Sequence, residues 1–140
     1  MEMVLVTAIL LYLRLATAEI TRLFVEHNTL TKAVRNGARY IASHENAFQG
    51  TTGVVVLTAA KRAETQNLVV YGNTAGTGTP VLTGLTPADI VVTDIGSNNI
   101  EVTATHSVTG IFGALLPNLV GNSAKGLVHD LQATVTMRAL

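Results

Sequence analysis

The sequence contains no cysteine and carries little charge of either sign. Without cysteine, disulfide bonds, thiolate metal ligands and cysteine nucleophiles are all excluded. Only 13% of the 140 residues are charged, and nine basic side chains balance nine acidic ones. This balance does not favour nucleic acid or an anionic membrane surface as a partner. By contrast, 48% of the residues are apolar, a high fraction for a small chain that works as a soluble monomer.

The first part of the chain also lacks the residues that break helices. Proline is absent before Pro80 and glycine before Gly37. Helix-compatible sequence runs from Glu2 to about Asn46, a length of roughly 65–70 Å at 1.5 Å per residue. Apolar residues recur along it at helical spacing and define one stripe, made of Leu23, Leu30, Val34, Ala38 and Ile41. We therefore predict one long N-terminal helix that is unbroken over residues 13–19.

The first half of this helix is too apolar to stand alone in water. Residues 3–18 are apolar except for Thr7, Arg14 and Thr17. A bilayer core needs about 20 apolar residues, and an arginine near its centre costs roughly 2.5–3.5 kcal/mol, so we expect a poor permanent anchor. The rest of the chain would fold to a globule with a radius of gyration of about 13 Å, which covers only the second half of the helix. We predict that residues 1–23 protrude, sheltered by lipid before assembly and by neighbouring identical helices afterwards.

A cleaved signal peptide is the alternative explanation of this segment. Ala16-Thr17-Ala18 resembles a small-residue cleavage site. However, no basic segment precedes the apolar stretch, and Glu2 stands where positive charge is expected. The alternative from another functional class is therefore a secreted binding module that begins at Glu19, which N-terminal sequencing of the natural product would identify.

The remainder predicts a globular domain from residue 24 to residue 140. A short second helix is expected over about 52–66. Alternation of apolar and polar residues predicts antiparallel strands, and the expected strands cover about 67–71, 89–94, 99–108 and 127–139. A turn at Gly96-Ser97-Asn98-Asn99 precedes the third of these, and the apolar connection over 109–126 is expected to pack on the domain or on a neighbour. The predicted fold class is α+β, a long helix packed on a small antiparallel sheet.

No catalytic or metal-binding pattern is recognisable. The four histidines, His27, His44, His106 and His129, have no metal-ligand spacing, and no serine lies in a Gly-x-Ser-x-Gly motif. His27 and His106 are expected to be partly buried structural residues. Glu101 and Asp130 could face each other across two strands as a solvated pair. We expect a non-enzymatic protein without cofactor or metal.

Several blocks of the sequence resemble the TadE-like family, which are pilin-type proteins of tight-adherence (Flp) pilus systems. Glu19-Ile20-Thr21-Arg22 is similar to that family's Glu-Phe-Gly-Arg block. The helix that follows is similar to its Asn-x-Leu-x-x-Ala-Ala-Arg-x-Gly-Ala-Arg-Tyr pattern, matched here by Asn28, Arg35, Gly37, Arg39 and Tyr40. Residues 67–73, 84–85 and 133–138 resemble its middle region and its closing strand.

The resemblance implies a type IV pilin-like subunit. Its precursor would lie in the cytoplasmic membrane, be trimmed by a prepilin peptidase and be extruded by an assembly ATPase. The product would be an extracellular adhesive filament of identical subunits on a prokaryotic cell surface. The rival within the resemblance is a minor pilin that primes or tips a filament of another subunit. The family's basic leader and processing glycine do not precede Glu2, so we expect a trimmed chain or a misassigned start.

Two charged residues are expected to set the register of assembly. Family members carry a glutamate seventeen residues before the Glu-Phe-Gly-Arg block, as Glu2 lies before Glu19. Arg14 lies twelve residues, or roughly 18 Å, from Glu2, so staggered neighbours could pair these two charges. Alternatively, Arg14 extends to the filament surface. The predicted assembly residues are Glu2, Met3, Val4, Leu5, Val6, Ile9, Leu10, Leu13, Arg14, Glu19 and Arg22.

Overall fold

The chain folds as an α+β structure. The computed structural model describes residues 2–43, 57–110 and 128–139. The elements of these ranges are α1 (Glu2–Ala42), α2 (Ala59–Tyr71), a 3₁₀ turn (Pro87–Asp89), β1 (Ile90–Gly96), β2 (Asn99–Thr109) and β3 (Val128–Arg138). The predicted fold class, a long N-terminal helix packed on a small antiparallel sheet, is confirmed, and the sheet has three strands.

Helix α1 is continuous over 41 residues, including residues 13–19 as predicted. Four of its threonines, Thr7, Thr17, Thr21 and Thr31, fit the helix because their hydroxyls donate to the carbonyl four residues earlier. Thr17 Oγ1, for example, lies 2.8 Å from the Leu13 carbonyl oxygen. The helix ends at Ala42, and Ser43 lies in a turn where its backbone N–H donates to the Arg39 carbonyl at 3.0 Å. Ser43 was predicted to be helical, since the helix was expected to end near Asn46, and for Ser43 this prediction is wrong. Residues 44–46 lie outside the described residues.

The predicted strand at 67–71 is wrong, because these residues form the second half of α2. Thr58 caps the N-terminus by accepting from the Lys61 backbone N–H at 3.3 Å, and Gly72 ends the helix in the left-handed conformation (φ 73°). The helix therefore begins at Ala59, later than the predicted start near residue 52; residues 52–56 lie outside the described residues. Val69 and Val70 are fully buried, so tertiary packing overrides the strand preference of this β-branched run.

The sheet has the strand order β1-β2-β3. Strands β1 and β2 pair in antiparallel register, with Val92 opposite Val102, through a tight turn in which Ser97 and Asn98 have φ values of 55° and 61°. Between β2 and β3, the hydroxyls of Thr103 and Thr134 lie 3.0 Å apart. The predicted alternation is confirmed: Ile100, Val102, Ala104 and Ala133 are buried, whereas Gln132, Thr134, Thr136 and Arg138 are exposed.

One apolar core holds the helices on the sheet. The stripe of α1 predicted from sequence supplies Leu30, Val34, Ala38 and Ile41, and Leu23 of the same stripe is half-buried. Helix α2 is also tied to the sheet, because the Gln66 amide donates to the Ile90 carbonyl at 2.9 Å. Gly37 brings the two helices together: a Cβ at this position would overlap Val69 Cγ2 and lie 3.4 Å from Thr65 Cγ2.

The chain divides into two compact units. The first comprises Met1–Glu26 and Ser107–Leu131, and the second comprises His27–His106 and Gln132–Leu140. The fully buried residues named above belong to the second unit, whereas the half-buried Leu23 belongs to the first. The predicted protrusion of residues 1–23 and the predicted domain boundary at residue 24 stay predictions. Most of the connection predicted over 109–126 lies outside the described residues.

Candidate assembly surface

The N-terminal half of α1 presents an extensive apolar surface. Met3, Val6, Ile9, Leu10 and Leu13 were predicted to take part in assembly, and all five are exposed. Leu11, Tyr12, Ile20, Phe24 and Val25 are exposed as well, although the sequence analysis did not single them out. Contiguous apolar surface of this extent on a folded chain indicates an interaction site.

For three of the predicted assembly residues, the structure describes the backbone but not the side chain. Glu2, Val4 and Leu5 belong to α1, but their side chains lie outside what the structure describes. The predicted contacts of Glu2 therefore stay a prediction. Arg14 is exposed, and within the described part of the chain it takes part in no ion pair or hydrogen bond.

The charged residues in the middle of α1 stabilise the helix itself. Arg22 Nε lies 2.8 Å from Glu26 Oε1, a contact that their i,i+4 spacing on a helix favours. Glu19, the start of the Glu-Phe-Gly-Arg-like block, is half-buried. The pair of Arg22 and Glu26 is partly buried, and i,i+4 pairs on helices contribute about 0.3–0.5 kcal/mol, so it supports the helix without fixing a tertiary contact.

Sequence reasoning missed a polar cluster that joins α1 to α2. The Tyr40 hydroxyl donates to Glu64 Oε2 at 2.8 Å, and Lys61 Nζ lies 2.6 Å from the same oxygen and 5.8 Å from the centre of the Tyr40 ring. Burial and the hydrogen bond to Glu64 raise the pKa of the Tyr40 hydroxyl, and the hydrogen bond to Glu64 raises the pKa of Lys61. The i,i+3 spacing of Lys61 and Glu64 is readable from sequence, but their contact with Tyr40 is not.

This cluster predicts a moderate loss of stability in a Tyr40→Phe variant. Removing the hydroxyl leaves the Glu64 carboxylate with one donor fewer, so we expect the free energy of unfolding to fall by about 1–2 kcal/mol in urea denaturation. The folded-state pKa of Tyr40 lies above the unfolded value of 10.0, so its contribution is complete below pH 10 and is lost as the pH rises further. An unchanged unfolding curve at pH 7 would contradict the assignment.

The residues that match the family's helix pattern separate into two faces of α1. Gly37 is buried against α2, and Tyr40 is half-buried beside Glu64. Asn28, Arg35 and Arg39 are exposed. The pattern thus combines one position required for helix packing with polar positions on the outside of the domain.

Other titratable residues do not assemble into a reactive centre. His106 is buried as predicted, whereas His27 is exposed, so the prediction for His27 was wrong. Asp130 accepts from the Ser107 hydroxyl at 2.8 Å, and this register places Asp130 away from Glu101, contrary to the predicted pairing. Among the described residues, no group of three or more histidine, aspartate or glutamate side chains could hold a metal ion. Over the same residues, no helix combines the length and apolarity needed to cross a membrane.

Comparison with known proteins confirms the resemblance over the helix. The family model described as TadE-like protein matches residues 1–39, which span nearly all of α1. No curated protein and no solved structure matches the chain. The TadE-like family is associated with tight-adherence (Tad) pili on the cell surface, and the first 39 residues of this chain are similar to it. It ends at Arg39, so the blocks noted at 67–73, 84–85 and 133–138 stay predictions.

Proposed function

We propose that this chain is a structural pilin-like subunit that polymerises through α1 into an extracellular Tad-type filament. One observation carries the proposal: ten large apolar side chains of α1, all preceding residue 26, are exposed in the single chain. Fully burying one such side chain contributes about 1.5–3 kcal/mol. Ten of them outweigh an association cost of roughly 4–15 kcal/mol.

The family match over residues 1–39 supports the remaining parts of the proposal. Before assembly, the cytoplasmic membrane shelters α1, a prepilin peptidase trims the precursor and an assembly ATPase extrudes the subunit. The domain after residue 24 then forms the outside of the filament, where it contacts surfaces during adhesion. The proposed role needs no catalysis, cofactor, metal or nucleic acid.

Assembly of the purified full chain tests the proposal. The chain is extracted in a mild detergent, the detergent is removed by dialysis, and the product is examined by sedimentation and negative-stain electron microscopy. We expect uniform filaments that pellet. Filaments that form only after another subunit is added would indicate a minor pilin. Stable monomers without detergent and with an intact N-terminus would overturn the proposal.

Within such a filament, we propose that Arg14 pairs with Glu2 of a neighbouring subunit. Arg14 lies on the apolar part of α1 and has no partner in the described part of its own chain. Leaving one charge of a buried pair without its partner costs about 3–5 kcal/mol. We therefore expect Arg14→Leu to abolish or greatly weaken filament formation in the sedimentation assay.

Two further variants separate this pairing from extension of Arg14 to the filament surface. Glu2→Gln should weaken assembly as Arg14→Leu does, and the double variant should assemble better than the sum of the two losses predicts. If Arg14 only extends to the surface, Arg14→Leu forms undiminished filaments of unchanged symmetry, which would exclude the pairing while leaving the pilin function intact.

A further inference from the structure

The two outer strands of the sheet differ in how well their outer edges are protected. At the start of β1, the Gln66 amide donates to the Ile90 carbonyl at 2.9 Å. At the end of β1, the ladder is irregular between Asp94 and Gly96. Strand β3 (Val128–Arg138) has eleven residues without proline or lysine, and within the described part of the chain its only neighbour in the sheet is β2. An edge of this kind exposes N–H and C=O groups to which another strand can bind.

The register of β3 on β2 determines which of its backbone groups face that edge. The Ala139 backbone N–H donates to the Asn98 carbonyl at 2.8 Å, so residue 139 faces β2. Because successive residues of an antiparallel strand direct their backbone groups to opposite sides, the odd-numbered residues of β3 bind β2 and the even-numbered ones face outwards. The hydroxyls of Thr103 and Thr134 lie 3.0 Å apart, in agreement with this register, since side chains are closest in the pairs without hydrogen bonds.

The sequence along β3 is self-complementary when two copies run antiparallel. With Thr134 opposite Thr134 of a second copy, Asp130 of each chain lies opposite Arg138 of the other, and Gln132 lies opposite Thr136. These five side chains are exposed on the outer face of the sheet, where opposite charges at facing positions stabilise a strand pair. All five are even-numbered, so each facing pair can exchange two backbone hydrogen bonds.

The inner face of β3 favours the same register. Leu131, Val135 and Met137 belong to this face but are only half-buried, whereas Ala133 between them is buried. In the register centred on residue 134, Leu131 lies opposite Met137 of the second copy. Likewise, Ala133 lies opposite Val135, so each of these apolar side chains gains an apolar neighbour. A two-fold axis perpendicular to the sheet keeps both inner faces on the same side.

We infer that the free edge of β3 pairs antiparallel with β3 of a second copy of this chain, with Thr134 next to the two-fold axis. Such a contact is isologous, because one strand supplies both members of every pair. Shifting the register by two residues in either direction would set Asp130 and Arg138 opposite uncharged residues, and a parallel in-register pair would set like charges side by side. The contact lies outside α1, so it does not depend on the proposed polymerisation.

Single cysteine variants of the full chain in mild detergent test the register, since the natural chain has no cysteine. In the inferred pair, the two copies of residue 134 face each other with Cα atoms about 5.5 Å apart, which a disulfide can bridge. The two copies of residue 136 are offset along the strands and lie roughly 14 Å apart, which a disulfide cannot bridge. Under mild oxidation, Thr134→Cys should therefore form linked dimers several-fold faster than the matched control Thr136→Cys.

The comparison is made at high protein concentration. Because the contact is confined to one strand, we expect it to bury less than the ~800 Å² per partner of a standard interface and to be weak. Equal rates for the two variants would indicate random collision or parallel pairing, and either would overturn the inference, as would the absence of linked dimers. Filaments are not needed for this measurement, so its result and that of the polymerisation test are independent.

Charge exchange at the two ends of the pair provides a second measurement. Combined with Thr134→Cys, Asp130→Arg places two arginines opposite each other and Arg138→Asp places two carboxylates together, so each should form linked dimers several-fold more slowly. A mixture of the two variants should recover the rate, with links between unlike chains that a tag on one of them identifies. Circular dichroism checks that each variant is folded. Unchanged rates in the single variants, or no recovery in the mixture, would show that β3 does not pair in this register.

Discussion

A Gly37→Ala variant is expected to be less stable than the natural chain by about 1–3 kcal/mol, although alanine is the better helix former. The added Cβ would overlap Val69 Cγ2, a methyl group on a fully buried, β-branched side chain. Neither α1 nor α2 can move away from the other without creating a cavity in the core. The strain from overpacking should therefore exceed the roughly 1 kcal/mol gained in helix propensity. Urea denaturation of the chain in mild detergent measures the loss.

A double variant tests the physical reason. Val69→Ala removes the methyl group that the new Cβ would strike, so Gly37→Ala should cost less in the Val69→Ala background than in the natural one. The coupling between the two sites is expected to be about 0.5–3 kcal/mol. Asn36→Ala is the matched control on the same helix, because Asn36 is exposed and its replacement should be within about 0.5 kcal/mol of neutral. A Gly37→Ala variant that is more stable than the natural chain would contradict the close approach of α1 and α2.

Most elements could be predicted from sequence because their signals are local. Helix α1 contains no proline, its single glycine is Gly37, and its buried stripe repeats at helical spacing, so the helix was predictable almost to its end. The alternation in β2 and β3 identified both strands and their buried faces. The turn at Ser97 and Asn98 was predictable because asparagine and glycine favour positive φ.

The error at residues 67–71 has a tertiary cause. Taken alone, the run that contains Val69 and Val70 is rich in β-branched residues and favours a strand. In the structure the run is helical, with Val69 in the space that Gly37 leaves open on α1, about thirty residues earlier in the chain. The local signal that could have identified the helix was the pair of caps, Thr58 and Gly72, which bracket residues 59–71.

The candidate site was predictable only in outline. An apolar helix segment with an arginine at residue 14 is visible in the sequence, and its exposure follows from the mismatch between helix length and domain size. The full extent of the exposed apolar surface is less visible, because it continues to Ile20 and Phe24 among polar residues and becomes distinct only when exposure is known. The Tyr40–Glu64 contact depends on how α1 and α2 pack, and no spacing along the chain encodes it.

A Leu30→Ala variant should show that α1 performs two separate tasks on two faces. Leu30 is fully buried in the domain core, whereas Phe24, six residues earlier on the same helix, is 71% exposed. Truncating Leu30 removes buried methyl groups and leaves a cavity, so we expect the free energy of unfolding to fall by about 2–5 kcal/mol. Phe24→Ala should change the same quantity by less than about 0.5 kcal/mol when detergent keeps the chain monomeric.

Filament assembly should rank these two variants in the opposite order. At a temperature where both variants remain folded, Leu30→Ala should assemble at nearly the same critical concentration as the natural chain, since Leu30 faces the core. Phe24→Ala should require a much higher concentration because it removes one of the exposed apolar side chains through which α1 is proposed to polymerise. Comparable losses of folding stability in both variants would mean that Phe24 belongs to the core of its own subunit. Comparable losses of assembly would mean that the filament contact includes the buried face of α1. Either result would show that the two faces of α1 do not have separate roles in folding and assembly.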